Sequence, residues 1–188
     1  MNWTSLTRVT RSETPLIDVE TAIAHCRASD EDEETIARLI EVATDFISGP
    51  SGIGTALLTE EWKLSLDSLP SVIELDLTPV QSVDSVTYVD EDGVTQTVDP
   101  ATYYVDVDQR PAIVAFIATR PITKAVPGAV KVHFTAGYGA PADVPADLRH
   151  AALLLISHYF ENREAVQEVE TFEVPMGVER ILRKYRVA

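Results

Sequence analysis

The stretch Val130-Lys-Val-His-Phe-Thr-Ala-Gly-Tyr-Gly139, followed beyond Pro145 by Leu148-Arg-His-Ala-Ala-Leu-Leu-Leu-Ile-Ser-His-Tyr159, holds the change of hydrophobic period on which the fold turns. In its first part Val130, Val132 and Phe134 alternate with Lys131 and His133, the pattern of a half-buried strand with a polar outer face. In its second part Leu148, Ala151, Ala152, Leu153, Leu154, Leu155, Ile156 and Tyr159 leave almost no polar side, the pattern of a helix buried on most of its surface. The glycines flanking Tyr138 permit a sharp exit from the sheet. Pro145 suits a first helical turn, with Asp143 or the residues just before it available as cap. Each fully buried Leu or Ile of this helix contributes roughly 1.5–3 kcal/mol, so it anchors a core.

Working upstream, period two persists over about residues 60–136. Trp62, Leu64 and Leu66 alternate with Lys63 and Ser65, and Ile73, Leu75 and Leu77 with Glu74 and Asp76. Val86-Thr-Tyr-Val-Asp-Glu-Asp-Gly-Val-Thr-Gln96 reads as a hairpin turning on Asp92-Gly93. Residues 103–107 and 112–117 supply further short strands, and prolines at 70, 79, 100, 111, 121 and 127 suit the loops and edges between them. This predicts an antiparallel sheet or small sandwich of about five to seven strands.

Farther upstream the period is helical. Asp18 caps a short helix to about Arg27, with Val19, Ala22, Ile23 and Cys26 on one side. Ser29 or Asp30 opens a second helix, whose first turn carries Asp30-Glu-Asp-Glu-Glu34, where the helix dipole favours negative charge. Its stripe is Ile36, Leu39, Ile40, Ala43 and Ile47, and Gly49-Pro50 stops it. The fold class expected is α+β: a helical core from both chain ends with an inserted antiparallel β region. The boundaries are 1–55 for the N-terminal helices, 56–140 for the β region, 141–165 for the long buried helix, and 166–188 for a C-terminal arm. The long helix has more apolar surface than two amphipathic helices need, which points to contact with neighbouring subunits.

The arm ends in Met176-Gly-Val-Glu-Arg-Ile-Leu-Arg-Lys-Tyr-Arg-Val-Ala188. Val178, Ile181, Leu182 and Tyr185 form one helical stripe. Arg180, Arg183, Lys184 and Arg186 against Glu179 give the segment about +3, so the rest of the chain carries about −18 of the total −15. Three turns of helix are too short to be stable alone in water, so the segment must dock on its own body or on a partner.

At 188 residues, 45% hydrophobic and 24% charged, the chain is about one domain, or one domain with an insert, and is globular rather than disordered. Thirty acids against fifteen bases argue against a general nucleic-acid-binding surface; they suit simple solubility, or the wall of a path that DNA traverses without sticking. Cys26 is the sole cysteine, so no intrachain disulfide exists and a reducing compartment is expected. Met1-Asn-Trp-Thr-Ser-Leu-Thr-Arg8 carries no apolar core or cleavage pattern, and no apolar run approaches the ~20 residues needed to cross a bilayer. A soluble protein made or assembled in the cytoplasm, without membrane contact, is expected.

Chemistry is mostly missing. Gly49-Pro-Ser-Gly-Ile-Gly-Thr55 lacks the lysine of a phosphate loop and follows a helix rather than a strand. Asp90-Glu-Asp-Gly93 lacks the later ligands of a calcium loop and reads as a hairpin turn. Among His25, His133, His150 and His158, the best pairing is His158 with Glu161 or Asn162, read as a structural hydrogen bond. Asp106, Asp108 and Arg110 read as a solvated charge cluster, and Cys26 as an idle thiol. No catalytic residue, cofactor or metal site is expected.

The order of segments carries a resemblance: Trp62-Lys-Leu-Ser-Leu66, the run from Pro79 to Gly93, Asp99-Pro-Ala-Thr-Tyr-Tyr-Val105, the run from Val130 to Gly139, Val144-Pro-Ala-Asp-Leu-Arg-His-Ala151, Tyr159-Phe-Glu-Asn-Arg-Glu164 and the tail from Pro175 to Val187. Over about residues 14–187 this resembles the head–tail connector proteins (adaptor or head-completion proteins) of tailed bacteriophages, prophages and gene transfer agents. The resemblance implies a virion protein of the neck, assembled in the bacterial cytoplasm. It implies a ring, usually of twelve copies, beneath the portal, extending the DNA channel with transient contact to the passing DNA and meeting a neck (stopper) or tail-terminator protein. It also implies that the C-terminal segment reaches the portal protein, with Val178, Ile181, Leu182 and Tyr185 as buried contacts and Arg180, Arg183 and Lys184 pairing with acids. Smaller members of the group are mostly helical, so no role for the β region carries over. A stopper or tail terminator, or a small enzyme with a site in the β region, remain the alternatives.

Overall fold

The computed structural model describes residues 3–162 and 176–186, and among them the chain is α+β. Its elements are β1 (Trp3–Thr10), α1 (Val19–Cys26), α2 (Glu33–Ile47), β2 (Glu60–Leu66), β3 (Val72–Leu75), β4 (Val80–Val89), β5 (Thr95–Thr97), β6 (Tyr103–Asp106), β7 (Ala112–Phe116), β8 (Val130–Ala136), α3 (Ala146–Glu161) and α4 (Met176–Leu182). They form two compact units: Met1–Ser12 with Thr59–Gly137, and Glu13–Leu58 with Tyr138–Ala188.

In the helical unit, α1 starts where the Asp18 carboxylate accepts hydrogen bonds from the Thr21 amide and hydroxyl at 2.8 and 2.6 Å. These bonds favour the ionised form and hold the Asp18 carboxyl below its usual range. The helix ends at Arg27, whose left-handed backbone (φ 53°) turns its amide back to Ala24 O. The acidic run opens a 3-10 turn over Asp30–Asp32 before α2 begins. There the Asp32 carboxylate accepts from the Ser29 amide and hydroxyl, so the run is a helix start as its composition indicates. Ile36, Ile40, Ala43 and Ile47 of α2 are buried in one cluster with Leu148, Ala151, Ala152, Leu155 and Ile156 of α3; Leu39 is only partly covered. From α1 only Ala22 is fully buried, while Val19, Ile23 and Cys26 pack at the edge.

The β unit contains two antiparallel sheets, ordered β1-β2-β8-β4-β5 and β3-β7-β6. Period-two alternation becomes register directly: Trp62 faces Phe134, Leu64 faces Val132 and Leu66 faces Val130, all buried. The predicted hairpin joins β4 to β5. Asp90 accepts from the Val94 amide at 2.8 Å and from Gln96 Nε2 at 2.9 Å, and Gly93 takes the positive φ (88°) that the turn needs.

One correction concerns the N-terminus. The sequence reading assigns 1–55 to the N-terminal helices of the helical core, yet Trp3–Thr10 is a strand paired with β2, from Trp3 opposite Leu66 to Thr10 opposite Glu61. No apolar alternation marks it. Its inward position at Arg8 is filled by a charge, with the guanidinium 5.2 Å from the Trp62 ring centroid and Nε 3.2 Å from Glu60 Oε2.

Candidate functional site

The basic tail needs its own body or a partner to dock on, and in this protomer residues 176–186 lie on the chain's own helical core. Val178 is fully buried and Leu182 is 5% exposed, both within the cluster built by α2 and α3. Ile181 and Tyr185 are partly buried against the same cluster. The helical stripe is therefore real, and its rows divide by depth: Val178 and Leu182 at the bottom, Ile181 and Tyr185 at the margin.

A polar clamp holds the end of the tail. The Tyr185 hydroxyl donates to Asp147 Oδ1 at 2.6 Å, and Lys184 Nζ lies 3.4 Å from Asp147 Oδ2. Thr55 Oγ1 donates to the Tyr185 carbonyl at 3.5 Å. Asp147 sits in the first turn of α3, where the helix dipole also favours its charge. The Tyr185 hydrogen bond first, and then Lys184, hold the Asp147 carboxyl below its usual range. The same bond, together with burial, pushes the Tyr185 phenol up to about 12. Sequence reasoning missed Asp147. It lies 38 positions from Tyr185, and no periodicity links residues on two elements at that distance.

The cationic residues face outward. Arg180, Arg183 and Arg186 are exposed, and Arg183 Nη2 pairs with Glu179 Oε1 one turn earlier at 2.9 Å. That exposed pair contributes about 0.3–0.5 kcal/mol and leaves Arg183 available to a stronger acid. Of the seven residues assigned to portal contact, Arg180 and Arg183 are presented to solvent, Lys184 is engaged by Asp147, and the four apolar or aromatic ones cover this chain's own core.

The other sequence candidates resolve into local structure. In the glycine-rich loop the amides of Gly49, Gly52, Ile53 and Gly54 donate to Thr55, Gly49, Ile47 and Gly49 carbonyls, so the donors a phosphate would use are bonded internally. Asp106 accepts from the amides of Asp108 and Gln109 and from Gln109 Nε2, closing a turn. His158 pairs with Asn162, whose Nδ2 lies 3.4 Å from His158 Nδ1 and also donates to the His158 carbonyl. Burial pushes the Cys26 thiol up, away from the nucleophilic thiolate. Among the described residues no group of three His, Cys, Asp or Glu could hold a metal ion, and no helix is long and apolar enough to cross a membrane.

No protein-family model and no curated protein matches the sequence. Solved structures do match, over nearly the whole chain. A chain in the neck of an empty gene transfer agent particle, computed with C6 symmetry, superposes with a TM-score of 0.80 at 23% identity, covering 98% of this chain and 96% of that one. The fold is that of a gene transfer agent neck chain. The virion of the native gene transfer agent particle supplies a second match (TM-score 0.79, 23% identity), with the same coverage of both chains. The neck of the native particle, computed with C12 symmetry, supplies a third at 25% identity and a TM-score of 0.68, again covering 98% and 96%. The likeness spans both units of the chain, the β region included.

Proposed function

We propose that this chain is a structural, non-enzymatic adaptor of the head–tail neck in a tailed phage, prophage or gene transfer agent. It assembles in the bacterial cytoplasm into a ring, of twelve copies in the particle, beneath the portal protein. The ring extends the DNA channel and meets a further neck or tail protein. The observation that carries this reading is the end-to-end likeness to neck chains, 98% of this chain against 96% of one of them. Two further features support it. The acidic body repels DNA passing along a channel wall, so contact there is transient. The outward cations Arg180 and Arg183 offer an acidic portal surface a charge-assisted, oriented contact.

For Val178, Ile181, Leu182 and Tyr185 to supply buried portal contact as well, α4 must leave its seat. Uncovering Val178 and Leu182 costs roughly 1.5–3 kcal/mol each, and the Asp147 clamp adds to that, so the portal must offer at least as much apolar burial. The test is binding of purified chain to purified portal and tail-tube proteins, with and without residues 176–188. The proposal expects portal binding by the full chain and its loss on truncation. Tail-tube binding without portal binding would instead mark a stopper or tail terminator.

A further inference from the structure

Charge is not spread evenly over the outer face of the five-stranded sheet. Trp62, Leu64 and Leu66 of β2 point into the core, so Lys63 and Ser65 point outward. Register sets Lys63 between Thr7 of β1 and His133 of β8, and sets Lys131 of β8 between Ser65 of β2 and Thr87 of β4. Lys63 and Lys131 are therefore diagonal neighbours, about 7–8 Å apart, with no carboxylate in either row. The acids on that side of the sheet are engaged by hydroxyls: Glu61 accepts from Thr10, and Asp84 accepts from Ser82 and Thr135. Among the described residues neither Lys63 nor Lys131 has an ion-pair partner. Two like charges side by side, in a chain of net charge −15, form a patch that gains by meeting an anion. The chain carries such a surface itself. At the start of α2, Asp30, Glu31, Glu33 and Glu34 are exposed, and among the described residues none of the four carboxylates has an ion-pair partner; Asp32 is the member of the run tied back to Ser29.

We propose that the Lys63–Lys131 patch of one copy docks on the Asp30–Glu34 run of the next, and that this contact joins the copies of the ring. The inference rests on the neck reading above and names the surfaces that meet within it. The two patches lie on different units of the chain, so the contact is heterologous, the kind that runs head to tail from copy to copy and closes into a ring. Identical chains of net charge −15 repel one another, and setting a cationic patch against an acidic one at every junction offsets that repulsion. Duplex DNA would satisfy the lysines and leave the acidic run unpaired. A second copy satisfies both.

The experiment follows assembly of the full-length chain on purified portal, reading by native mass the copies bound and the concentration at which the ring fills. It compares wild type, Lys63→Glu/Lys131→Glu, Glu33→Lys/Glu34→Lys, an equimolar mixture of these two variants, and the chain carrying all four substitutions. Lys131, Glu33 and Glu34 are exposed and Lys63 is partly covered, and unchanged thermal melts verify that the variants fold. Each reversed variant alone is expected to need about a hundredfold more protein to fill the ring, while the mixture and the fourfold variant fill it at the wild-type concentration. Wild-type assembly is expected to weaken as salt rises. Where a reversed variant melts below wild type, Lys63→Gln/Lys131→Gln or Glu33→Gln/Glu34→Gln takes its place, with about tenfold weakening expected. Assembly of both altered chains at the wild-type concentration overturns the inference and leaves the neck reading standing. Weakened assembly that neither the mixture nor the fourfold variant restores also overturns it, because the two patches then do not face each other. Intact assembly of Lys63→Glu/Lys131→Glu with lost retention on duplex DNA overturns it as well and gives the lysines to DNA. A wild-type chain that binds no portal overturns the neck reading itself.

Discussion

The hydroxyl of Tyr185 donates a 2.6 Å hydrogen bond to Asp147 Oδ1, tying the last turn of the chain to the first turn of α3. The bond joins a phenol to a carboxylate at the margin of the core and contributes about 1 kcal/mol. Tyr185→Phe is expected to lower unfolding stability by that amount in urea titrations at neutral pH. Equal stability of the two proteins would show that the clamp does not hold the tail.

The same pair sets a pH dependence at both ends of the scale. Asp147 has a depressed folded pKa, so its contribution is fully present above the ordinary value of 3.8 and is lost as pH falls through the lower folded value. Tyr185 has a raised folded pKa, so its contribution is fully present below the ordinary value of 10 and is lost as pH rises toward about 12. Tyr185→Phe is expected to flatten the alkaline limb of a stability-versus-pH curve. An unchanged alkaline limb would refute the assignment.

Leu155 is fully buried at the centre of the α2–α3 contact. Leu155→Ala is expected to cost about 2–5 kcal/mol through lost burial and the cavity left behind. Leu155→Asp puts a charge in an apolar interior and is expected to abolish soluble expression. A soluble, cooperative Leu155→Asp protein would contradict the packing described.

The Glu60 side chain is only 5% exposed and lies 3.2 Å from Arg8 Nε on the neighbouring strand. Arg8→Ala removes that counter-charge and is expected to destabilise by about 3 kcal/mol. Adding Glu60→Gln is expected to restore part of the loss, because no ionised carboxylate is then left buried. A double-mutant cycle with no coupling between the two positions would rule out this account.

A side chain at Gly52 would run into the Ile47 carbonyl at the end of α2. Gly52→Ala is expected to cost about 2 kcal/mol by forcing the loop away from the helix, measurable as a lower melting temperature. Gly128→Ala, where nothing lies within 4 Å but φ is +65°, is expected to cost less, about 1 kcal/mol from backbone strain alone.

The parts of this fold legible in advance were those written in a single element. The alternation through Trp62, Leu64 and Leu66 predicted which face would be buried, and the 3.6-residue spacing of Ile36, Ile40, Ala43 and Ile47 did the same for α2. Capping by Asp18 and turning at Gly93 were equally local, because a side chain or a φ angle within a few residues decides them. β1 escaped because its inward position is held by Arg8, a residue whose partners, Glu60 and Trp62, lie more than fifty positions away.

The sequence by itself determined that the tail would be an amphipathic, basic helix needing something to cover its stripe, because helical spacing and charge count depend on neighbours along the chain. What covers that stripe in the protomer was decided only by tertiary structure: Val178 and Leu182 close the α2–α3 core, and Asp147 clamps Tyr185 and Lys184. Tertiary structure likewise decided that β7 buries Ala112 and Val114 fully and leaves Ile113 and Ala115 half-buried. An unbroken apolar run reads the same whether one face or both are covered, and only the folded sheet of β3, β7 and β6 reveals which face is the deeper one.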